Sequence, residues 1–417
     1  MENENTAKGL IGSAAKTVWE KYLWPELKQI GIGLANMFKM GPGIINRSGR
    51  IDFTYFLIVI GLTAFGLITH YSASYENKSQ LIFALAGIVM MLVIAHLKTD
   101  AYKEFSALFL FICVILLLIV LTRGEYNGTR RRLVFFQPSE VAKVAFIMYL
   151  AYLLDKYKKT RTKTSQFAVF FSFTLCFVAL LLLESHLSGA ILFFCIGYSM
   201  MWYAGLSKKG FIIITAIIVA GVLLIVWQPR ILDLIPGFKD YQISRIEIWK
   251  KILGNRELTL IERRDAARQS LQSLYGIGSG GIFGVGFGNS GQKVSNLAEK
   301  ANDFIFAVLA EEGGFIASIF MLILFGALTV RGFKIALNSK TYFGSLLALG
   351  VSTQMALQVL INVGVATSLL PNTGISLPFF SGGGTSLIFS LASMGLVLGV
   401  SKESNNTKTE VKKNAEG

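Results

Sequence analysis

The chain alternates between long apolar runs and short polar connections over most of its length. Ten runs approach or exceed the length that crosses a bilayer, about 20 apolar residues. They occupy residues 52–73, 80–97, 102–121, 139–154, 166–183, 189–205, 211–227, 303–330, 343–365 and 383–400. We therefore predict an all-α polytopic membrane protein with ten transmembrane helices, in which residues 229–302 form a large loop between spans 7 and 8.

The composition supports a membrane protein. Hydrophobic residues make up 53% of the 417 residues and charged residues only 16%, a balance that a soluble protein of this length does not keep. The three cysteines all lie inside apolar runs, without the spacing of a metal site or a disulfide framework. The net charge of +15 follows the membrane topology and attracts anionic lipid headgroups, so it does not indicate a nucleic-acid partner.

The distribution of Lys and Arg predicts the orientation. These residues concentrate in the loops after spans 2, 4, 6 and 8, and fewer occur in the short loops after spans 1 and 3. Because positively charged loops face the cytoplasm, we expect both termini to be cytoplasmic. The loop at 229–302 is then extracellular.

Both ends of the chain are polar. Residues 1–50 lack the pattern of a cleavable signal peptide and form a cytoplasmic N-terminal segment. Between Leu10 and Leu23, apolar residues recur at helical spacing, which is typical of an interfacial helix; a poorly ordered tail fits this pattern equally well. For residues 401–417 we predict a disordered cytoplasmic tail.

Three polar clusters lie on the predicted outer side, and the first precedes span 4. Arg130–Arg132 stand shortly before residues 136–143, in which Pro138 suits the first turn of a helix. Glu140 and Lys143 are three positions apart and share one helical face. Such a pair is either purely structural or part of a pocket, and guanidinium groups beside it suit a phosphate ligand.

The second cluster, residues 268–314, starts polar, becomes rich in glycine and then places Asp303 on the first turn of span 8. Its G-x-G-x-x-G spacings lack the strand–helix context of a dinucleotide site, so we expect a kinked or re-entrant backbone near the bilayer. Asp303 is either an acid favoured by the helix dipole or a general base in a partly dry cleft. Glu311 and Glu312 are functional candidates, because acids at the mouth of a span are costly.

The third cluster, residues 356–387, contains prolines and glycines at positions that exclude a regular helix interior. Non-helical backbone at this depth has to be covered by protein or line a cavity. We therefore predict a re-entrant loop between spans 9 and 10. Asn362, Gln354 and Gln358 add polar groups to span 9, either for hydrogen bonds between helices or for the cavity.

Together, these clusters resemble the SEDS family (shape, elongation, division and sporulation) of bacterial membrane glycosyltransferases. The motifs are FQPSEVAK at 136–143, QSLYGIGSGGIFGVGFGNSGQK through NDFIFAVLAEEGGF at 272–315, and LPNTGISLPFFSGGGTSL at 370–387. They occur in the order expected of this family, and the resemblance covers residues 52–400. The GNSGQK run at 288–293 and the polar N-terminal segment make the chain most similar to the cell-division member.

The resemblance implies polymerisation of lipid II, the undecaprenyl-pyrophosphate-linked disaccharide-pentapeptide, into glycan strands at the outer face of the bacterial cytoplasmic membrane. Asp303 matches the family's essential aspartate and would take the proton from the acceptor sugar hydroxyl in an inverting displacement. Arg131 and Lys143 would stabilise the departing pyrophosphate, with a divalent cation (Mg or Mn) as a further source of positive charge. Glu140 would orient Lys143 or hold that metal.

The remaining substrate-binding candidates lie in or near the same motifs. They are Gln137, Ser139, Gln272, Ser273, Lys293, Glu299, Thr373 and Ser386. The resemblance also implies partners, namely a class B penicillin-binding transpeptidase and other proteins of the division machinery. No docking surface for them follows from the sequence.

Other classes of function make different predictions. A lipid II flippase requires a charged pathway across the whole membrane, whereas the acids and arginines here concentrate in the outer half. A scaffold without catalytic activity would tolerate the loss of Asp303. An elongation or sporulation polymerase of the same family would share the chemistry and differ in its cellular role.

Overall fold

The computed structural model describes residues 28, 49–74, 79–122, 137–159, 164–184, 186–230, 240–264, 267–291 and 301–416, and these residues are helical or irregular, without a strand. The predicted interfacial helix between Leu10 and Leu23 lies outside them. The helices are α1 Phe53–Ala73, α2 Ser79–Ala95, α3 Thr99–Thr122, α4 Pro138–Lys156, α5 Thr164–Leu183, α6 Leu187–Tyr203, α7 Lys208–Trp227, α8 Asp240–Leu253, α9 Leu260–Arg264, α10 Arg268–Gly280, α11 Ile305–Leu337, α12 Tyr342–Ala366 and α13 Gly384–Glu416.

Seven of these helices are long and apolar enough to cross a membrane, namely α1, α3, α5, α7, α11, α12 and α13. The apolar helices α2 and α6 have 17 residues each, and α4 has 19 residues with charged side chains near both ends. Each of the ten predicted spans therefore corresponds to a helix, and the protein is a multi-pass membrane protein. That α2, α4 and α6 also cross the bilayer stays a prediction.

Helix α4 is enclosed by other helices. Every residue from Pro138 to Leu154 except Glu140 is buried, and the helix packs against α3, α6 and α12. The ring of Phe146 contacts aromatic rings of α5 and α6 at centroid distances of 5.7 and 5.1 Å. A helix buried on all sides is apolar all round, so the charged Lys143 near its start has to be satisfied inside the protein.

Polar contacts connect helix ends at the end of the bundle opposite the three motifs. Arg331 on α11 binds Asp52 ahead of α1, with 2.8 Å between Nη2 and Oδ2. The N–H of Asp52 donates to the Ser401 hydroxyl at 3.0 Å, and the N–H of Thr99 donates to Glu403 at 2.8 Å. The starts of α1 and α3 are thereby tied to the end of α13.

Helix α13 continues past residue 400, where the last predicted span ends. The sequence predicts disorder in residues 401–417, yet the backbone is helical through Glu416. Two features explain the difference. Ser401 and Glu403 bind the starts of α1 and α3, and residues 400–416 contain no Gly or Pro that would end a helix.

Helix α11 is interrupted at Gly314, where φ is 68° and ψ is −166°. The glycine-rich loop at 281–291 fits into this interruption. The N–H of Val285 donates to the Glu311 carbonyl at 3.0 Å, and the N–H of Phe315 donates to the Gly281 carbonyl at 2.9 Å. The loop thus supplies partners for backbone groups that the interruption of α11 releases, which agrees with the predicted kinked backbone.

We expect Gly284→Ala to destabilise the protein. Gly284 has a φ of 79°, and a Cβ there would lie 2.1 Å from the Glu312 carbonyl oxygen. The strain and the collision together should cost about 2 kcal/mol or more, which a lower Tm in detergent would show. Gly326→Ala is the control, because a Cβ at Gly326 meets nothing within 4 Å. Equal Tm values for the two variants would contradict the close packing of loop and helix.

Candidate functional site

Asp303 lies in a turn, residues 301–304, directly ahead of α11, which begins at Ile305 rather than at the predicted residue 303. The side-chain amide of Asn362 on α12 donates to the backbone carbonyl of Asp303 and to that of Ile375, each at 2.8 Å. Phe304 is 1% exposed and anchors the turn in an apolar cluster. Asp303 itself is half-buried, so the turn holds an acid at the edge of the bundle.

The connection between α12 and α13, residues 367–383, lies against this turn. The Ser381 hydroxyl donates to the Asn302 carbonyl at 2.7 Å, and the Gly382 N–H donates to the Ala301 carbonyl at 2.7 Å. Phe380 in the same connection is fully buried in the main core. The connection therefore folds back onto the bundle, as the third cluster predicts, and its depth in the membrane stays a prediction.

A second polar group of the site is the pair formed by Glu140 and Lys143 on α4. Lys143 Nζ lies 2.9 Å from each carboxylate oxygen of Glu140. The Lys143 side chain is 5% exposed and that of Glu140 is 11% exposed. The Ser386 hydroxyl donates to Glu140 Oε2 at 3.0 Å, and Gln137 Nε2 donates to the Ser139 hydroxyl at 3.0 Å.

One short segment, residues 381–386, connects these two polar groups. Ser381 and Gly382 bind the turn that carries Asp303, whereas Ser386 binds Glu140. Parts of all three sequence motifs therefore meet at one end of the bundle, although they are far apart along the chain.

Other candidate residues have different surroundings. Ser273 on α10 is fully buried, and its hydroxyl donates to the Ala366 carbonyl at 2.7 Å. This hydroxyl is therefore engaged in a hydrogen bond within the protein. Gln272 beside it is half-buried. The carbonyl of Thr373 accepts a hydrogen bond from the Ser188 hydroxyl. Three further candidates lie outside the described residues: Arg131, Lys293 and Glu299.

The two buried acids of α11 have a structural role. Glu311 accepts hydrogen bonds from the Gly291 N–H at 2.9 Å and from the Ser290 hydroxyl. Glu312 accepts one from the Ser72 hydroxyl at 2.6 Å. The two glutamates are 3% and 7% exposed, so they tie the glycine-rich loop and α1 to α11 rather than face a substrate.

The roles of Ser381 and Asn302 could not be predicted from the sequence. Their contact joins a side chain to a backbone carbonyl of a distant segment, and no local pattern signals such a bond. Asn362 carried one hint, because an amide within an apolar span requires hydrogen-bond partners. The sequence left two roles open for this amide, hydrogen bonding between helices and lining a cavity. Its observed partners are instead the backbone carbonyls of two loop residues, Asp303 and Ile375.

The described residues offer no ligand set for a resident metal ion. Among them, no group of three or more His, Cys, Asp or Glu side chains could hold one. Both carboxylate oxygens of Glu140 are bound by Lys143, which agrees with the role of orienting Lys143. The divalent cation stays a prediction.

Comparison with known proteins places the chain in a family. The sequence model of the FtsW, RodA and SpoVE family, described as "Cell cycle protein", matches residues 53–406, and the chain belongs to this family. The probable peptidoglycan glycosyltransferase FtsW of Trichlorobacter lovleyi is 33% identical, with 85% of this chain and 94% of that protein covered. The stage V sporulation protein E of Bacillus subtilis is 34% identical, with coverages of 85% and 97%.

Solved structures share the fold. A chain from a peptidoglycan synthase complex, described as coordinating polymerization and crosslinking, matches with a TM-score of 0.70 at 27% identity, covering 85% of this chain and 98% of that chain. The rod shape determining protein RodA of Thermus thermophilus matches with a TM-score of 0.59 at 26% identity, covering 85% and 97%. The family predicted from the three motifs is therefore confirmed.

We expect Glu140→Gln to destabilise the protein, because it leaves the buried charge of Lys143 without its counter-ion. Removing one partner of a buried ion pair costs about 3–5 kcal/mol, which should appear as a lower Tm. The double variant Glu140→Gln/Lys143→Met removes the stranded charge and should regain much of that loss. A double variant no more stable than Glu140→Gln would contradict a buried, mutually compensated pair.

Proposed function

We propose that this protein is a peptidoglycan glycosyltransferase that polymerises lipid II at the outer face of the bacterial cytoplasmic membrane, in septal wall synthesis. Its family and the names of its relatives support this activity. The observation that carries the proposal is the half-buried Asp303, held in a fixed turn and joined through residues 381–386 to the Glu140–Lys143 pair.

In this proposal, Asp303 acts as the general base. Its carboxylate accepts the proton of the 4-hydroxyl of the acceptor GlcNAc, and the hydroxyl oxygen attacks C1 of the donor sugar. The bond between C1 and the pyrophosphate oxygen breaks, and the configuration at C1 is inverted. Asn362 donates to the Asp303 carbonyl and Ser381 donates to the Asn302 carbonyl, so the backbone is held on both sides of the Asp303 Cα. The carboxylate is thereby oriented before the substrate binds.

The leaving group, undecaprenyl pyrophosphate, departs with negative charge on its phosphate oxygens and needs positive charge nearby. The charge of Lys143 is compensated by Glu140, so we assign to this lysine the role of holding Glu140 and Ser386 in place. We assign to Arg131 the role of stabilising the leaving group, because a guanidinium group matches phosphate oxygens. A divalent cation would add positive charge when bound, and no step above depends on it.

We propose the same membrane orientation as the charge distribution predicts, with both termini in the cytoplasm. The site then faces outward, and the contacts of Asp52 with Arg331 and of Thr99 with Glu403 lie on the cytoplasmic side. The proposed partners are a class B penicillin-binding transpeptidase and other division proteins. The similarity to a chain from a peptidoglycan synthase complex supports the transpeptidase.

A sporulation role is the second candidate, because stage V sporulation protein E is about as similar to this chain as the FtsW relative. It involves the same chemistry at a different time in the life of the cell. A lipid II flippase is not favoured. Beyond Lys143, α4 is apolar and buried from Val144 through Leu154, so it offers no charged path through the bundle.

We expect Asp303→Asn to abolish polymerisation of labelled lipid II by the purified protein, with and without its transpeptidase. An amide cannot accept the hydroxyl proton, and loss of a general base costs about 100-fold or more in rate. Asp100→Asn is the matched control, since Asp100 is exposed at the start of α3 and should leave the rate unchanged. If folded Asp303→Asn makes glycan at the normal rate, the proposed base is wrong.

A further inference from the structure

His70 is a buried histidine that the proposed mechanism does not use. It lies in the last turn of α1 and is 2% exposed. No hydrogen bond of good geometry reaches either ring nitrogen from the described residues, although the backbone of Ala301 lies close enough to interact with the ring. Buried polar groups without partners are uncommon and costly, so the position of this ring requires an explanation.

The imidazole lies beside the turn that carries Asp303. A Cβ built on Gly382 would lie 2.4 Å from His70 Cε1, 3.1 Å from Asn302 Oδ1 and 3.2 Å from the Ala301 carbonyl oxygen. These three atoms therefore surround one point, which only a glycine leaves open. Gly382 is also the residue whose N–H donates to the Ala301 carbonyl at 2.7 Å.

We propose that His70 is a positioning residue for Asp303, and this proposal rests on the proposed function. A ring N–H of His70 is the second donor to the Ala301 carbonyl, beside the N–H of Gly382. A carbonyl oxygen has two lone pairs and accepts both bonds. Both donors together restrain the peptide group between Ala301 and Asn302, and this restraint fixes the direction of the Asp303 carboxylate.

A second contact holds the last turn of α1 in place beside α11. Two residues after His70, the Ser72 hydroxyl donates to the buried carboxylate of Glu312 at 2.6 Å. The same turn of α1 would thus hold the chain on both sides of Asp303, through the proposed bond to Ala301 and through the bond to Glu312. Catalysis is sensitive to small displacements of a reacting group, so loosening this support should affect the chemical step.

The competing explanation is that the ring only fills space beside Gly382. The two explanations differ in what they predict for substitutions. A donor role requires an N–H at position 70, which His70→Gln retains and His70→Leu removes. A filling role requires volume alone, so the two variants would behave alike.

The test compares His70→Leu, His70→Gln and the control His96→Gln in the full-length protein with its transpeptidase. His96 is the matched control because it is exposed at the end of α2. We expect His70→Leu to lower kcat for lipid II polymerisation by ~10-fold or more with KM unchanged. It should also accelerate amide hydrogen exchange in residues 301–304. His70→Gln should retain kcat within about threefold and near-normal exchange, because its amide keeps a donor.

Normal kcat and normal exchange in His70→Leu would overturn the proposal. Equal losses in the Leu and Gln variants would also overturn it, because they would show that the ring acts by packing. Failure of the proposed function looks different: the wild-type protein would not polymerise lipid II, or Asp303→Asn would remain active. In that case the hydrogen-exchange comparison still decides whether His70 holds the turn.

Discussion

A backbone N–H or carbonyl inside a membrane protein has to find its partner within the protein, because the bilayer core offers none. The structure departs from regular helix at Gly314 in α11 and at residues 367–383 after α12. The glycine-rich loop provides hydrogen-bond partners for the backbone near Gly314, and the Gly286 N–H donates to the Glu312 carbonyl at 3.1 Å. The turn at 301–304 provides partners for part of residues 367–383. The position of the site depends on these hydrogen bonds between irregular backbone segments.

The buried charges obey the same requirement. Lys143 and Glu140 compensate each other, and Glu311 and Glu312 each accept hydrogen bonds from a serine hydroxyl. The two glutamates of α11 thereby join the glycine-rich loop and α1 to α11, and the bond from the Ser386 hydroxyl to Glu140 joins α13 to α4. Asp303 differs from these acids because it is half-buried at the edge of the bundle, which is where a general base can meet its substrate.

Much of the fold could be predicted from the sequence, because apolar runs of bilayer length form helices and Pro138 begins α4 as expected. The start of α11 was misplaced by two residues, since contacts from Asn362 and Ser381 hold residues 301–304 in a turn. The face on which His70 meets Gly382 could not be predicted, because a single sequence carries no information on which helix faces meet. Asp303 was found through resemblance to a family, and periodicity alone left its role open.

The central claim is that the turn carrying Asp303 and residues 367–383 lie at the outward end of the bundle. It can be tested most directly by labelling single cysteines in spheroplasts, after Cys113, Cys176 and Cys195 are replaced by serine. Leu369→Cys and Lys340→Cys are exposed positions at opposite ends of α12. A membrane-impermeant maleimide should label Leu369→Cys in intact spheroplasts and Lys340→Cys only after permeabilisation. The reverse pattern would place Asp303 on the cytoplasmic side and contradict a glycan polymerase that acts outside.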